Sequence, residues 1–299
     1  MTATKPKQIL VPTDFSETAR HAMRYASDLA RRIGARLTVV YSDLFVPPVD
    51  YTATVGGWDE YSFDRLKATA DDDLQREAKL MIDPTVPYDA VVRVAPPIEG
   101  ILTQARESGA GMIVMGTHGR TGFRRLIIGS VTESVMRQAE VPVIVVPMTS
   151  EAKSEIRTVV CPAIYNDQCR NALNFAAAIA PEEATFIVIH STPSNDVEET
   201  ADDLAHLQEW VPESIATHCK LRVLGDRPLQ GYAEKAGADL IVVAEPAERS
   251  ASDVLYGTFA ARVVQHSHCP VLTVNRPAVK RATRIATQEH LTEMVSANQ

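Results

Sequence analysis

No stretch of this 299-residue sequence approaches the roughly 20 consecutive apolar residues of a membrane-spanning helix. A membrane-embedded function is therefore not expected. Cysteine is scarce, with four residues that all fall after position 160. That is no disulfide framework, and it points to a reducing compartment, the cytosol. Met1 to Gln8 is polar, carries two lysines and lacks an apolar signal core, so export is not expected. Positive charge is short as well. The net charge is −8: residues 1–150 hold 17 Lys/Arg against 18 Asp/Glu, and the remainder holds 13 against 20. An acidic chain is a poor nucleic-acid binder. Two familiar phosphate motifs are missing too. No glycine loop ends in the Lys-Ser/Thr of a Walker A sequence, and no Gly-x-Gly-x-x-Gly fingerprint is present.

What is present is a repeat. Each half opens with a β-rich run and a proline, Gln8 to Pro12 and Thr158 to Pro162. An alanine-rich helical pattern follows. In the first half Ala19, Ala22, Met23, Ala26, Leu29, Ala30 and Ile33 share one helix face, with Ser16 as N-cap. In the second, Ala172, Phe175, Ala176 and Ile179 repeat the pattern. Second strands (Leu37 to Tyr41; Phe186 to His190), third strands (Val91 to Val94; Leu221 to Leu224) and fourth strands (Met112 to Met115; Leu240 to Val243) come in the same order. Each half closes on Pro-Val and an apolar run, Pro142 to Val146 and Pro270 to Val274. Matching order and matching prolines indicate duplication. The pattern predicts an α/β fold of two tandem Rossmann-like domains, each a five-stranded parallel sheet with helices on both faces. The expected division is 1–148, 155–276 and a C-terminal tail, 277–299.

One loop stands out: Gly116-Thr117-His118-Gly119, nine residues, then Gly129-Ser130. It lies between a predicted strand and a predicted helix, the layout that aims backbone N–H groups at an anion. Gly116, Gly119 and Gly129 are expected to permit positive φ and a close phosphate approach. Ser130 would donate its hydroxyl, and the Val131 N–H is a further donor. Ligands of such sheets sit at the C-terminal strand ends, at the topological switch point. If the first and fourth strands are neighbours, Asp14 and the glycine loop flank one crevice.

Ile9 to Ser16, together with Gly116 to Pro147, resembles the universal stress protein family in its nucleotide-binding branch. The Gly-x2-Gly-x9-Gly-Ser spacing is fairly specific to that family. The likeness covers the first half closely and the second half by pattern, so the chain resembles a tandem universal stress protein. The resemblance implies ATP or another adenine nucleotide in the crevice, with Mg2+ held through its phosphates. By the same likeness Asp14 would bond the ribose hydroxyls, a strand-end or capping carboxylate being the plainer alternative. Pro12 and Thr13 would shape the turn under the base, and the Ser42 main chain would meet adenine. Arg120, Arg124 and Arg125 either screen phosphates or are solvated. His118 reads as a loop residue rather than a catalyst.

The second half has Ala244 and Ala247 where the loop has Gly116 and Gly119, and only Gly257-Thr258 survives. An alanine forced into a left-handed conformation costs about 1–2 kcal/mol. Pro246 removes a donor, Glu245 brings negative charge, and Ile164 stands opposite Asp14. One nucleotide per chain is therefore expected. The cysteines and histidines of this half match no zinc spacing, and Cys161 and Cys269 read as small buried hydrophobes. The long Pro47 to Tyr61 segment is either a flap over the site or an ordinary loop. Family members pair their last strands across a dimer interface; here the two halves are expected to pair within one chain, leaving a homodimer open. Met148 to Ile156 reads as a short flexible join. The expected role is nucleotide-dependent regulation. The alternative is a slow ATP hydrolase or autophosphorylating enzyme, against which the missing Walker lysine stands.

Overall fold

The computed structural model describes residues 4–45, 60–118, 128–150, 155–191, 201–224, 229–244 and 259–274. The first half runs β1 (Gln8–Pro12), α1 (Glu17–Ile33), β2 (Arg36–Asp43), α2 (Glu60–Met81), β3 (Tyr88–Val94), α3 (Pro97–Glu107), β4 (Met112–Gly116), α4 (Ser130–Gln138) and β5 (Val143–Val146). The second runs β6 (Thr158–Pro162), α5 (Asp167–Ile179), β7 (Thr185–Ser191), α6 (Ala201–Trp210), a 3-10 turn at Glu213–His218, β8 (Cys219–Leu224), α7 (Leu229–Lys235), β9 (Leu240–Ala244), α8 (Phe259–His266) and β10 (Val271–Val274).

Local chemistry explains the helix ends. The Ser16 hydroxyl accepts the Ala19 N–H at 3.2 Å and starts α1. Gly34 ends it in the left-handed region, where its N–H reaches the Ala30 carbonyl. The alanines of α1 lie buried against the sheet. Along each strand successive residues alternate between two cores. Ile9, Val11, Met112, Val114 and Ile144 face one, while Leu10, Ile113, Met115, Val143 and Val145 face the other. That period of two, with both faces covered, is why these strands read as unbroken apolar runs.

The strands form one sheet in the order β3-β2-β1-β4-β5-β10-β9-β6-β7-β8. Pairing is parallel within each half and antiparallel at the seam, where Val145, Ile144 and Val143 face Val271, Leu272 and Thr273. The two expected five-stranded sheets are thus fused into one of ten strands. The edge of each half is capped by its counterpart, and both cores continue across the seam. β1 lies between β2 and β4, so the chain crosses to opposite sides of β1 and the crevice opens there.

The join between the halves departs from the flexible reading at its described ends. Ser150 is buried, its hydroxyl donates to the Pro147 carbonyl at 2.7 Å, and it lies 3.2 Å from His21 Nε2. Ile156 is buried as well. Polar composition suggested a loose tether, but a buried hydroxyl with two partners holds the chain against α1.

His21 carries a pH consequence. Burial, and then the Arg24 charge, lower its pKa from the ordinary 6.5, against the contacts at Ser150 and Pro147. Below that ordinary value the unfolded chain takes up a proton that the native chain refuses, so stability declines as the pH falls through this window. His21→Gln is expected to remove part of that slope, read as urea midpoints from about pH 7.5 down to pH 5. An unchanged slope would show that His21 titrates alike in both states.

Candidate functional site

A cavity of about 290 Å³ opens at the C-terminal ends of β1 and β4. Pro12, Thr13 and Asp14 come to it from the end of β1, and Ser42 from β2. Gly116 and His118 come from the end of β4, and Gly129, Ser130 and Val131 from the start of α4. His118, read from the sequence as a loop residue, joins them; the others are the expected site residues that come together. Gly119, Arg120, Arg124 and Arg125 lie outside the described residues, as do Trp58 and most of the Pro47 to Tyr61 segment. Val40, Pro97, Ile101 and Met115 supply an apolar wall that the sequence pattern did not single out. No lysine or arginine lines the cavity among the described residues.

The turn after β1 is held from several directions. The Thr13 N–H donates to the Val40 carbonyl at 2.9 Å. The Thr13 hydroxyl donates to Glu77 Oε1 at 2.9 Å and accepts the Phe15 N–H at 3.0 Å. Phe15 has φ 65°, a left-handed conformation that costs a bulky L-residue about 1–2 kcal/mol. Its ring lies 4.7 Å from that of Tyr41, centroid to centroid. Asp14, between Thr13 and Phe15, accepts the Ser16 N–H on Oδ1 at 3.1 Å. The plainer reading of Asp14, as a turn carboxylate, is thus satisfied by one oxygen while the residue lines the cavity.

The described ends of the glycine loop differ in backbone conformation from the sequence expectation. Gly116 and Gly129 do not use positive φ. Gly129 is extended, at φ −65° and ψ 142°, and Gly116 is not among the positive-φ glycines. Gly116 is required by proximity instead. A Cβ there would meet the Thr18 carbonyl oxygen at 2.8 Å and its carbon at 2.9 Å. The end of β4 therefore touches the first turn of α1, and the Thr18 hydroxyl donates to the His118 carbonyl across that contact. The loop's two ends close where the Gly129 N–H reaches the Thr117 carbonyl at 2.8 Å and the Thr132 hydroxyl reaches the Gly116 carbonyl at 2.9 Å.

Gly129 is the N-cap of α4 and has no side chain to cap it. The first N–H groups of a helix lack intrahelical partners and carry partial positive charge. Ser130 and Val131 present that end to the cavity. His118 Nδ1 lies 2.8 Å from the Thr117 hydroxyl, while its buried Nε2 has no partner among the described residues. Burial lowers its pKa from the ordinary 6.5. Sequence reasoning also missed Gly100. A Cβ there would lie 2.0 Å from the Ser42 hydroxyl, which itself donates to the Ala95 carbonyl at 2.8 Å. Only glycine lets α3 come this close to β2 and bring Pro97 and Ile101 to the cavity. No signal in the sequence marked either contact, because the partners are distant along the chain.

In the second half Ala244 ends β9, buried, and Ile164 follows β6 where Asp14 follows β1. Glu245 to Thr258 lie outside the described residues. Tyr165, in the place of Phe15, packs on His190, His206 and Trp210 at centroid distances of 5.4, 4.7 and 5.5 Å. Cys161 and Cys169 are buried with their sulfurs 3.7 Å apart, as small hydrophobes would be, whereas Cys269 is only partly buried. No group of three or more His, Cys, Asp or Glu is placed to hold a metal ion among the described residues. No described helix is long and apolar enough to cross a membrane.

Known proteins share this arrangement. Universal stress protein MJ0531 of Methanocaldococcus jannaschii is 32% identical over 140 residues, which span 47% of this chain and 81% of its own length. Universal stress protein Rv2005c of Mycobacterium tuberculosis is 26% identical over 277 residues, 84% of this chain and 90% of its own. The crystal structure of a universal stress protein from Archaeoglobus fulgidus superposes with a TM-score of 0.66 at 19% identity, covering 90% of this chain and 98% of that one, a likeness of fold. The universal stress protein family model matches twice, over residues 5–147 and 155–275. With the fold, the repeat and the relatives in agreement, this chain belongs to the universal stress protein family as a tandem of two such domains.

Proposed function

We propose that the first half binds ATP, or another adenine nucleotide, in the crevice between β1 and β4, and that occupancy regulates a stress response in the cytoplasm. The observation that carries this reading is the N-terminus of α4, which has no side-chain cap and opens into the cavity that Asp14 lines. Its N–H groups suit phosphate oxygens, and the contact at Gly116 keeps the loop's entry narrow. The apolar wall of Val40, Ile101 and Met115 suits a purine face, beside the Ser42 main chain. Asp14 would hold the ribose hydroxyls over the turn made by Pro12 and Thr13. Gly129, Ser130 and Val131 would hold phosphate, joined by Gly119 and Arg120 from the loop. Mg2+ would come with the nucleotide, held by phosphates and water. The second half, with Ile164 and Ala244 in place of Asp14 and Gly116, serves as a structural or signalling partner.

The test is the nucleotide content of freshly purified protein, by denaturation and chromatography. Close to one adenine nucleotide per chain is expected. Asp14→Ala should weaken ATP binding about tenfold or more, the scale of hydrogen bonds to a charged group. Asp14→Asn keeps an acceptor for the Ser16 N–H and separates turn geometry from ribose contact. Two nucleotides per chain would overturn the silent second half. None, with no thermal shift on added ATP, would overturn the binding reading. Steady-state phosphate release would identify the enzyme alternative.

A further inference from the structure

We propose that Glu77, on α2 and outside the cavity, is a positioning residue that aims Asp14 at the ribose, with Arg20 as its counter-ion. The inference rests on the nucleotide reading above. Glu77 is only 6% exposed, yet both of its oxygens are engaged. Oε1 accepts the Thr13 hydroxyl at 2.9 Å, and Oε2 meets Arg20 Nε at 2.7 Å. Arg20 is partly exposed, and an ion pair with one partner in water contributes little to stability. What it supplies here is direction. With its proton given to Glu77, the Thr13 hydroxyl must turn a lone pair to the Phe15 N–H. That bond holds Phe15 at φ 65°, a conformation that persists only when its surroundings enforce it. Asp14 is the residue between the two anchored positions.

The second half of the same chain is an internal control. Ala163 and Ile164 stand where Thr13 and Asp14 stand, so there is neither a hydroxyl to hold nor a carboxylate to aim. Arg170, in the place of Arg20, donates instead to the Trp210 carbonyl at 3.0 Å and lies 5.9 Å from the centre of the Trp210 ring. Tyr165, in the place of Phe15, is not left-handed: among the described residues only Phe15 and Phe45 combine a side chain with positive φ. The buried Glu77 with its two partners and the strained turn occur together, in the half that keeps the aspartate.

The experiment compares ATP with 2′,3′-dideoxy-ATP, which lacks both ribose hydroxyls, in calorimetric titrations of the full chain. Wild type should prefer ATP about tenfold or more. In Glu77→Ala that preference should fall towards one through loss of ATP affinity, with dideoxy-ATP affinity unchanged within about twofold. Glu77→Gln, which still offers Thr13 an acceptor, should retain most of the preference. Thr13→Val, which removes the hydroxyl that Glu77 holds, should lose the preference for ATP as Glu77→Ala does. A crystal structure of ligand-free Glu77→Ala should show Phe15 outside the left-handed region. Equal weakening of both nucleotides, or an unchanged preference in a folded Glu77→Ala, would reduce Glu77 to a structural role and overturn the proposal. If Glu77→Ala does not fold, Glu77→Gln and Thr13→Val decide alone. A wild type that binds ATP without preferring it to the dideoxy analogue also overturns the proposal, while leaving nucleotide binding intact. A wild type that binds neither overturns the nucleotide reading itself.

Discussion

Gly116→Ala is expected to weaken ATP binding at least tenfold and to destabilise the protein by about 1–3 kcal/mol, the usual cost of forcing a methyl group into packed space. The atoms in the way are backbone, the Thr18 carbonyl oxygen at 2.8 Å and its carbon at 2.9 Å, and no side-chain rotation can clear them. Either the end of β4 or the first turn of α1 must move. Both carry the site, since the Thr18 hydroxyl holds the His118 carbonyl and Thr132 holds the Gly116 carbonyl. Gly231→Ala is the matched control. It lies in α7, where among the described residues no atom beyond its neighbours and its own helix backbone comes within 4 Å of the place a Cβ would take, so it should be neutral or stabilising by up to about 1 kcal/mol. Calorimetric titration and thermal melting read both effects. Wild-type affinity in Gly116→Ala would show that the contact between β4 and α1 does not shape the site. The buried Ala244 of the second half shows that the strand itself tolerates a methyl group at this place.

Ile144→Asp is expected to cost more than about 4 kcal/mol, the range of an unpaired carboxylate placed in a core. Ile144 is fully buried at the seam, paired with Val114 on one side and Leu272 on the other. Its core includes residues of both halves, so the loss should not stay in one domain. Urea unfolding of wild type should show a single transition, with circular dichroism and Trp210 fluorescence in a Trp58→Phe background reporting the same midpoint. In Ile144→Asp both probes should shift together, although the substitution lies in the first half and Trp210 in the second. Two separate transitions, only one of them displaced, would mean that the seam does not couple the domains.

Much of this architecture is legible in the residues. The alternating strands and helices, the Ser16 cap, the start of α4 at Ser130 and the likeness of the halves rest on patterns within ten to twenty residues of one another. The third strand begins at Tyr88, earlier than the apolar run from Val91, because an edge strand can carry Asp89 towards solvent while its backbone still pairs with β2. The crevice was legible in part. Asp14 and the glycine loop pointed to a switch-point crevice, but the positive φ expected at Gly116 and Gly129 is not what the structure has there. Composition says that a residue lacks a Cβ; it does not say which neighbour needs the space.

By itself, the sequence determined the fold class, the duplication and the half that carries the glycine loop, because helix period, strand period and turn chemistry are local properties of the chain. Only the tertiary structure decided that the expected pairing of the two halves is antiparallel, with Ile144 opposite Leu272, that Gly116 and Gly100 yield to Thr18 and Ser42, and that Thr13 is anchored by a glutamate 64 residues away. Those features depend on surfaces that meet only after folding. In the linear chain Glu77 is one more acidic residue on a polar helix, and burial between Thr13 and Arg20 gives it a specific task.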